Sequence, residues 1–221
     1  MRLLAIDTSS SAVTAAVHDG DVLLAEATEP GAQAHGELLA PVIERALATA
    51  GVSPRDLTAV VAGTGPGPFT GLRVGLVTAR VMAEALGIPA YGVCSLDAIA
   101  AQAVGEGRVA TSFAVATDAR RKEVYLATYV ADGARIEGPH VVRPADIDPM
   151  VAAGPVVGEG AWLYPDVFVD AREPGYVSAA WLASYAAARL HAGEELGGTT
   201  PLYLRRPDAV ENATRKRVTP S

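Results

Sequence analysis

The sequence predicts an α/β protein made of two similar lobes with a cleft between them. Short apolar runs alternate with amphipathic segments of helical length, the pattern of domains in which helices cover a sheet. Residues 4–7 (LAID) and 115–118 (VATD) each end in an aspartate, and a polar stretch and a β run follow both. We interpret this as an internal duplication. Coincidence is the alternative, because strands that end in aspartate are common.

The composition limits the functions that the chain can have. Half of the 221 residues are hydrophobic, enough for a sizeable core, and the formal net charge is −7. A chain this acidic does not bind phosphate backbones through its overall field, because that affinity comes from Lys and Arg. The single cysteine, Cys94, rules out an intramolecular disulfide and is expected to be a small core residue.

We expect a cytoplasmic protein with no membrane contact. Asp7 interrupts the first apolar run too early for a signal peptide. No apolar stretch approaches the roughly 20 residues that a membrane-spanning helix needs.

The first lobe, residues 1–108, is predicted to contain five strands and two helices. An Asp-Gly pair at 19–20 indicates a hairpin, and apolar residues at three- and four-residue steps indicate the helices. Pro41 either kinks the first helix or marks its start. The strands are residues 3–6, 12–17, 22–27, 58–63 and 88–93, and the helices are 35–50 and 72–86.

The second lobe, residues 109–205, begins in the same way. Strands are predicted at 113–117, 123–130 and 155–158, with an Asp-Gly turn at 131–133. An Ala-rich helix follows at 178–191, with Ser178 as its N-cap. Residues 206–221, which include Arg215, Lys216 and Arg217, lack an apolar period and are predicted to form a mobile polar tail.

Two segments are candidates for contact with nucleotide phosphates. An acidic residue at a strand end beside small hydroxyl residues can hold a hydrated magnesium ion, and a Gly-rich loop before a helix is a natural anion site. The alternatives are a tight turn in the first segment and a rigid strand-to-helix joint in the second. The candidate residues are Asp7, Thr8, Ser9, Gly65, Gly67 and Thr70.

The helix predicted at 72–86 is apolar on almost every side. Arg73, Arg80 and Glu84 fall within about 40° of one another, and nearly all the other residues are apolar or small. Such a helix must be covered on more than one side, either by the helix at 35–50 or by another protein.

The sequence shows no catalytic residues and no metal site. Its histidines never occur at the i, i+4 spacing that places two imidazoles on one helical face, and no Gly-x-Ser-x-Gly elbow occurs. Asp118 is a candidate second carboxylate, but the basic residues 120–122 that follow it equally favour a salt-bridged structural aspartate.

Five segments, in order along the chain, resemble the signatures of the TsaB (YeaZ) family. The third of them is highly specific, and it departs from the family at Pro68, where serine is usual, which stiffens the loop and removes a hydroxyl. The segments are AIDTS (5–9), HGELLAP (35–41), GPGPFTGLRVG (65–75), DARRKEVY (118–125) and PLYLRR (201–206).

The resemblance implies the duplicated actin-like fold of sugar kinases and Hsp70 (ASKHA) and a non-catalytic, activating role. The family forms a heterodimer with TsaD, which carries the metal-binding His pair, and is assisted by the ATPase TsaE. The complex makes N6-threonylcarbamoyladenosine at position 37 of tRNAs that read ANN codons. It implies no stably bound cofactor, although ATP or ADP is conceivable within the complex, and tRNA contact only through the complex.

The family docks through two helices, which here are those at 35–50 and 72–86. The interface residues expected from this resemblance and from the apolar helix are His35, Leu39, Ile43, Leu72, Arg73, Leu76, Val77, Arg80 and Met82.

Two other functions fit the same sequence. One is an ATP-dependent small-molecule phosphotransferase of this fold, with Asp7 and Asp118 near magnesium and the phosphates. The other is an interaction module that forms a homodimer through the apolar helix face.

Overall fold

A computed structural model describes residues 1–30 and 34–205 of the chain. The tail predicted to be mobile, residues 206–221, lies outside the described residues. Among the described residues, no helix is both long and apolar enough to cross a membrane.

The described part of the chain contains ten strands, six α-helices and two short 3-10 helices, Pro54–Asp56 and Pro144–Asp146. The strands are β1 (Leu3–Asp7), β2 (Ala12–His18), β3 (Leu23–Pro30), β4 (Ala59–Gly63), β5 (Ala90–Val93), β6 (Phe113–Asp118), β7 (Val124–Tyr129), β8 (Arg135–Val142), β9 (Pro155–Val157) and β10 (Asp170–Arg172). The helices are α1 (His35–Ala50), α2 (Phe69–Leu86), α3 (Ser95–Gly105), α4 (Pro149–Ala153), α5 (Glu159–Leu163) and α6 (Ala179–His191).

The strands form two five-stranded sheets with the same topology. The first sheet has the order β3-β2-β1-β4-β5, and the second has the order β8-β7-β6-β9-β10. In both, an antiparallel three-stranded meander is extended by two parallel strands. The central strands β1 and β6 end at Asp7 and Asp118. The predicted duplication is therefore confirmed, and the chain has a duplicated actin-like fold.

Helices and sheets alternate in five layers. α1 and α2 cover the outer face of the first sheet, α3 and α6 lie between the two sheets, and α4 and α5 cover the outer face of the second. The strands β1, β2 and β4 are buried along their whole length, which explains their almost continuous apolar sequences.

The packing of α6 does not follow the order of the chain. This helix lies in the second half of the sequence but packs on β1 and β2 of the first sheet, and its partner α3 contacts the second sheet. One continuous core therefore joins both halves. The lobe boundary at 108/109 stays a prediction. It separates the two sheets, but the helices α3 and α6 between them pack across it.

Several element boundaries differ from the sequence prediction. The helix predicted from residue 72 begins at Phe69, directly after the Gly-Pro loop. The helix α1 begins at His35 and runs through Pro41, which is exposed and leaves the helix without one backbone hydrogen bond. The sequence analysis did not predict α3, α4, α5, β8 or β10.

The N-terminus of α6 is capped by a side chain from another part of the chain. Glu26 on β3 accepts hydrogen bonds at Oε1 from Ser178 Oγ (2.8 Å) and from the Ala180 backbone N–H (3.1 Å). Ser178 is the N-cap as predicted, and it accepts from the Trp181 N–H at 3.3 Å. A carboxylate at a helix N-terminus also interacts favourably with the helix dipole.

We predict that Glu26→Ala lowers the free energy of unfolding by about 1 kcal/mol, because it removes two acceptor contacts at the start of α6. Urea unfolding of the two proteins measures the change. The matched control is Glu29→Ala on the same strand, which breaks an exposed ion pair with Arg45 and should cost less than about 0.5 kcal/mol. Equal losses in both variants would show that the cap contributes nothing specific.

Candidate functional site

Asp7, at the end of β1, is held inside a closed network of hydrogen bonds. Its Oδ1 accepts from the backbone N–H of Ser9 at 2.7 Å and from Ser9 Oγ at 2.8 Å. Its Oδ2 accepts from Ser95 Oγ at 2.6 Å, at the start of α3. The side chain is completely buried, so both oxygens are satisfied by the protein itself.

Burial sets the electrostatics of this network. It raises the pKa of Asp7 above its usual value, and the hydrogen bonds from Ser95 and Ser9 oppose part of that effect. The neighbouring strand comes so close that a Cβ on Gly63 would collide with Asp7 Oδ2. The carboxylate consequently has no path to solvent in this conformation.

The Gly-Pro loop and α2 pack directly on the segment that follows β1. The Thr8 hydroxyl donates to the Gly71 carbonyl at 2.7 Å and accepts from the Gly75 N–H at 3.0 Å. A Cβ on Gly75 would lie 2.5 Å from Thr8 Oγ1, and one on Gly67 would collide with the Ser9 carbonyl. Residues 8 and 9 thus fill the space beside the Gly-Pro loop and the first two turns of α2.

The structure brings the predicted phosphate-contact residues together but encloses most of them. Asp7, Thr8, Ser9 and Gly65 are buried, Gly67 is half-buried, and Thr70 is exposed. Their present roles are those of a tight turn and a rigid strand-to-helix joint. Nucleotide contact by these residues stays a prediction.

Five of the nine residues predicted at the partner interface lie in the core instead. The reason is that they face the first sheet, where α1 packs against β2 and β3 and α2 packs against β4 and β1. His35 is also fixed there, with Nε2 3.0 Å from the Ser10 carbonyl oxygen. The five buried residues are His35, Leu39, Ile43, Leu72 and Leu76.

The outward face of α2 carries three of the other predicted residues and one that was missed. Val77 is 55% exposed, and Arg73 and Arg80 are exposed, whereas Met82 is half-buried and packs against the core. Val81, which is 61% exposed, was not selected from the sequence. Periodicity shows which residues share a face of a helix, whereas the tertiary packing decides which face is outward.

A C-terminal segment, residues 197–205, runs along α2, and we call it the strap. Arg80 donates from Nε to Thr199 Oγ1 at 2.7 Å, and Arg73 donates from Nε to Tyr203 OH at 2.9 Å. The Tyr203 ring lies 4.8 Å from the Phe69 ring. These contacts between distant parts of the chain carry no signal in the sequence pattern.

The second aspartate, Asp118, is a salt-bridged residue, one of the two alternatives for it. Its Oδ2 lies 2.9 Å from Arg120 Nη1, and its Oδ1 accepts from the Arg120 N–H at 2.7 Å. Nearby, Glu159 accepts from Ser11 Oγ at 2.9 Å, which links the two halves. Burial raises the pKa of Glu159.

Other candidate groups can be placed as well. Among the described residues, no three His, Cys, Asp or Glu side chains come together in a way that would hold a metal ion. Cys94 is buried, which confirms the prediction of a core residue, and burial raises the pKa of its thiol to about 12.

Comparison with known proteins gives a consistent result. A family model described as TsaD: tRNA N6-adenosine threonylcarbamoyltransferase matches residues 25–162. The structure of YeaZ from Pseudomonas aeruginosa superposes with a TM-score of 0.79 at 29% identity, covering 92% of this chain and 99% of that one. The Escherichia coli tRNA threonylcarbamoyladenosine biosynthesis protein TsaB is 38% identical over 60% of this chain and 56% of its own length.

The chain belongs to the TsaB (YeaZ) family. A protein of Mycobacterium tuberculosis is 46% identical over 94% of this chain and 93% of its own length. The resemblance identified from five short segments is thus confirmed. The YeaZ structure extends it over 92% of this chain.

We predict that Gly75→Ala destabilises the protein by about 1–3 kcal/mol, because the new methyl group meets Thr8 Oγ1. Thermal or urea unfolding measures the loss. In a double variant, Thr8→Ala should recover part of it by removing the atom that clashes. The control is Gly36→Ala, where nothing lies within 4 Å and helix propensity should leave stability unchanged or slightly increased.

We also predict that Asp7→Asn gains stability relative to the unmodified protein as pH rises. Burial raises the pKa of Asp7 in the folded state. At a pH above the pKa of Asp7 in the unfolded chain, the folded state therefore binds the proton more tightly than the unfolded state does. The unmodified protein therefore loses stability as pH rises from about 4 through the folded-state pKa. Unfolding free energies of both proteins between about pH 4 and 8 measure this. A difference independent of pH would contradict it.

Proposed function

We propose that this TsaB-family protein is a non-catalytic, activating subunit that forms a heterodimer with TsaD during synthesis of N6-threonylcarbamoyladenosine on tRNA. The names of its relatives place them in this biosynthesis. One structural observation carries the proposal. The outward face of α2 presents Val77 and Val81, one helical turn apart and both more than half exposed, beside α1.

The surroundings of these valines suit a specific protein interface. Arg73, Arg80 and Glu84 are exposed on the same helix and would form a polar rim around the apolar centre. A groove of about 350 Å³ between α2 and the strap, lined by Val77 and Tyr203 among others, could receive a partner side chain. A specific interface of ordinary size would bury about 1,200–2,000 Å² in total.

The enclosed end of β1 supports a role without chemistry of its own. Asp7 is buried with both oxygens hydrogen-bonded, and the backbone of residues 8–9 fills the space beside the glycines of the loop. An ATP-dependent phosphotransferase would have to open this packing to reach magnesium and phosphates. Sustained ATP turnover by the purified chain, lost in Asp7→Ala, would favour that alternative.

The proposed mechanism is a shift in the partner's conformational equilibrium. A ligand or subunit shifts such an equilibrium only by binding one state more tightly than the other. Docking of the α2 face would stabilise the active conformation of TsaD, with TsaE as the ATPase of the complex. The net charge of −7 agrees with tRNA contact through the complex rather than through this chain alone.

Exposed valines on one helix would also suit a second copy of this chain. A homodimer through α2 would use the same surface and therefore compete with TsaD. Light scattering of the chain with and without TsaD distinguishes the two assemblies.

We predict that Val77→Glu and Val81→Glu each abolish copurification with TsaD and lower the yield of modified tRNA in a reconstitution with TsaD and TsaE. Each change buries a charge in the apolar centre of the interface. Both side chains are exposed in the monomer, so the circular dichroism spectrum and melting temperature should stay near those of the unmodified protein.

The matched control is Val22→Glu, an equally exposed valine that lies between β2 and β3 of the first sheet. This variant should retain both binding and activation. Undiminished TsaD binding by both α2 variants would refute the interface. Undiminished tRNA modification without this protein would refute the activating role.

A further inference from the structure

A second cavity, which Asp7 does not line, lies next to the N-terminus of α3. Its volume is about 420 Å³, within the range of small-molecule sites. The walls come from β5, α3, α6, β8 and the strap, together with the two residues that precede it. Gly92, Gly197 and Gly198 line one side and leave it without side chains.

Asp97 brings an incompletely paired carboxylate to this cavity. Both of its partners reach the same oxygen, Oδ1: Tyr129 OH donates at 2.9 Å, and Arg135 Nη1 lies 3.6 Å away. Among the described residues, no hydrogen bond is made to Oδ2. Asp97 lines the cavity with its side chain 13% exposed, and burial raises the pKa of its carboxyl, so an ion pair at Oδ2 would form in a partly desolvated site.

The cavity also contains cationic groups and a second carboxylate. The 3.6 Å separation between Arg135 and Asp97 is longer than a hydrogen bond, which leaves the guanidinium able to bind another anion. Arg189 is held in place by the Tyr185 ring at 4.5 Å and by Glu194. Together with Glu195, the cavity lining carries two carboxylates and two guanidinium groups.

This balance of charge selects the class of ligand. A nucleotide would place phosphates beside Asp97 and Glu195, and a polyamine would place ammonium groups beside Arg135 and Arg189. A molecule with one charge of each sign avoids both conflicts. We propose that this cavity binds a free α-amino acid, whose ammonium group pairs with Asp97 Oδ2 and whose carboxylate pairs with the Arg135 guanidinium.

The test is equilibrium binding to the full chain, by saturation-transfer NMR and calorimetry. The probes are glycine, L-alanine, L-threonine and L-glutamine, with acetate and methylammonium as analogues that carry one charge. At least one amino acid should bind saturably below about 10 mM, and both analogues should bind at least tenfold more weakly. No saturable amino-acid binding, or equal binding of an analogue, would overturn the proposal.

Variants locate the site. Asp97→Asn should weaken amino-acid binding at least tenfold, because it removes the charge that pairs with the ammonium group. The matched control, Asp132→Asn, changes an exposed turn residue outside the cavity and should bind as before. A folded Asp97→Asn variant with unchanged affinity would overturn the assignment.

Asp97 also holds Tyr129, so its replacement has a second effect that a melting curve will reveal. If that variant does not fold, Arg135→Gln decides the matter. A tenfold loss of affinity supports the site, and unchanged affinity rejects it. The proposal of amino-acid binding does not depend on the proposed interface with TsaD, and its experiment uses this chain alone. Either proposal can therefore fail without the other.

Discussion

The close approach of α2 to the end of β1 is the constraint on which the rest of the structure depends. Backbone atoms and the Thr8 hydroxyl occupy the space that side chains would need at Gly67, Gly71 and Gly75. In the same way, the Asp7 carboxyl group occupies the space beside Gly63. These four glycines recur at intervals of four residues from the end of β4 into α2. A side chain at Gly67, Gly71 or Gly75 would push the loop or the helix away from residues 8–9, and one at Gly63 would displace Asp7.

This contact also determines which surfaces remain for function. Because the glycine side of α2 faces Thr8, the helix buries Leu72 and Leu76 and turns Val77 and Val81 outward. Next to the hydrogen bonds that anchor the helix through Thr8, Ser9 and Ser95 hold Asp7 in a buried position, and its counterpart Asp118 forms an ion pair with Arg120. One packing arrangement therefore closes the most obvious chemical centre and exposes an apolar helix face. That combination is the physical basis for proposing an activating subunit.

The two halves share a topology but not an independent core. The helix α6 crosses from the second half to the first sheet, where Glu26 caps it, and the strap returns along α2. Substitutions in the strap or in α6 are consequently expected to affect the packing of the first sheet, which carries Asp7. The proposed amino-acid cavity lies where these crossing segments meet.

The sequence by itself determined the α/β class, the duplication, most of the strands, the cap of α6 and the family, because local periodicity, turn residues and short motifs specify these features. It did not determine which candidate residues are accessible. Leu39, Leu72 and Val81 have similar local patterns, and only their orientation towards the sheet distinguishes a core position from a surface one. Nor did it place the strap or the partners of Asp97, since hydrogen bonds between residues far apart in the chain leave no periodic signal. Those features depend on how the layers pack, which the tertiary structure alone decides.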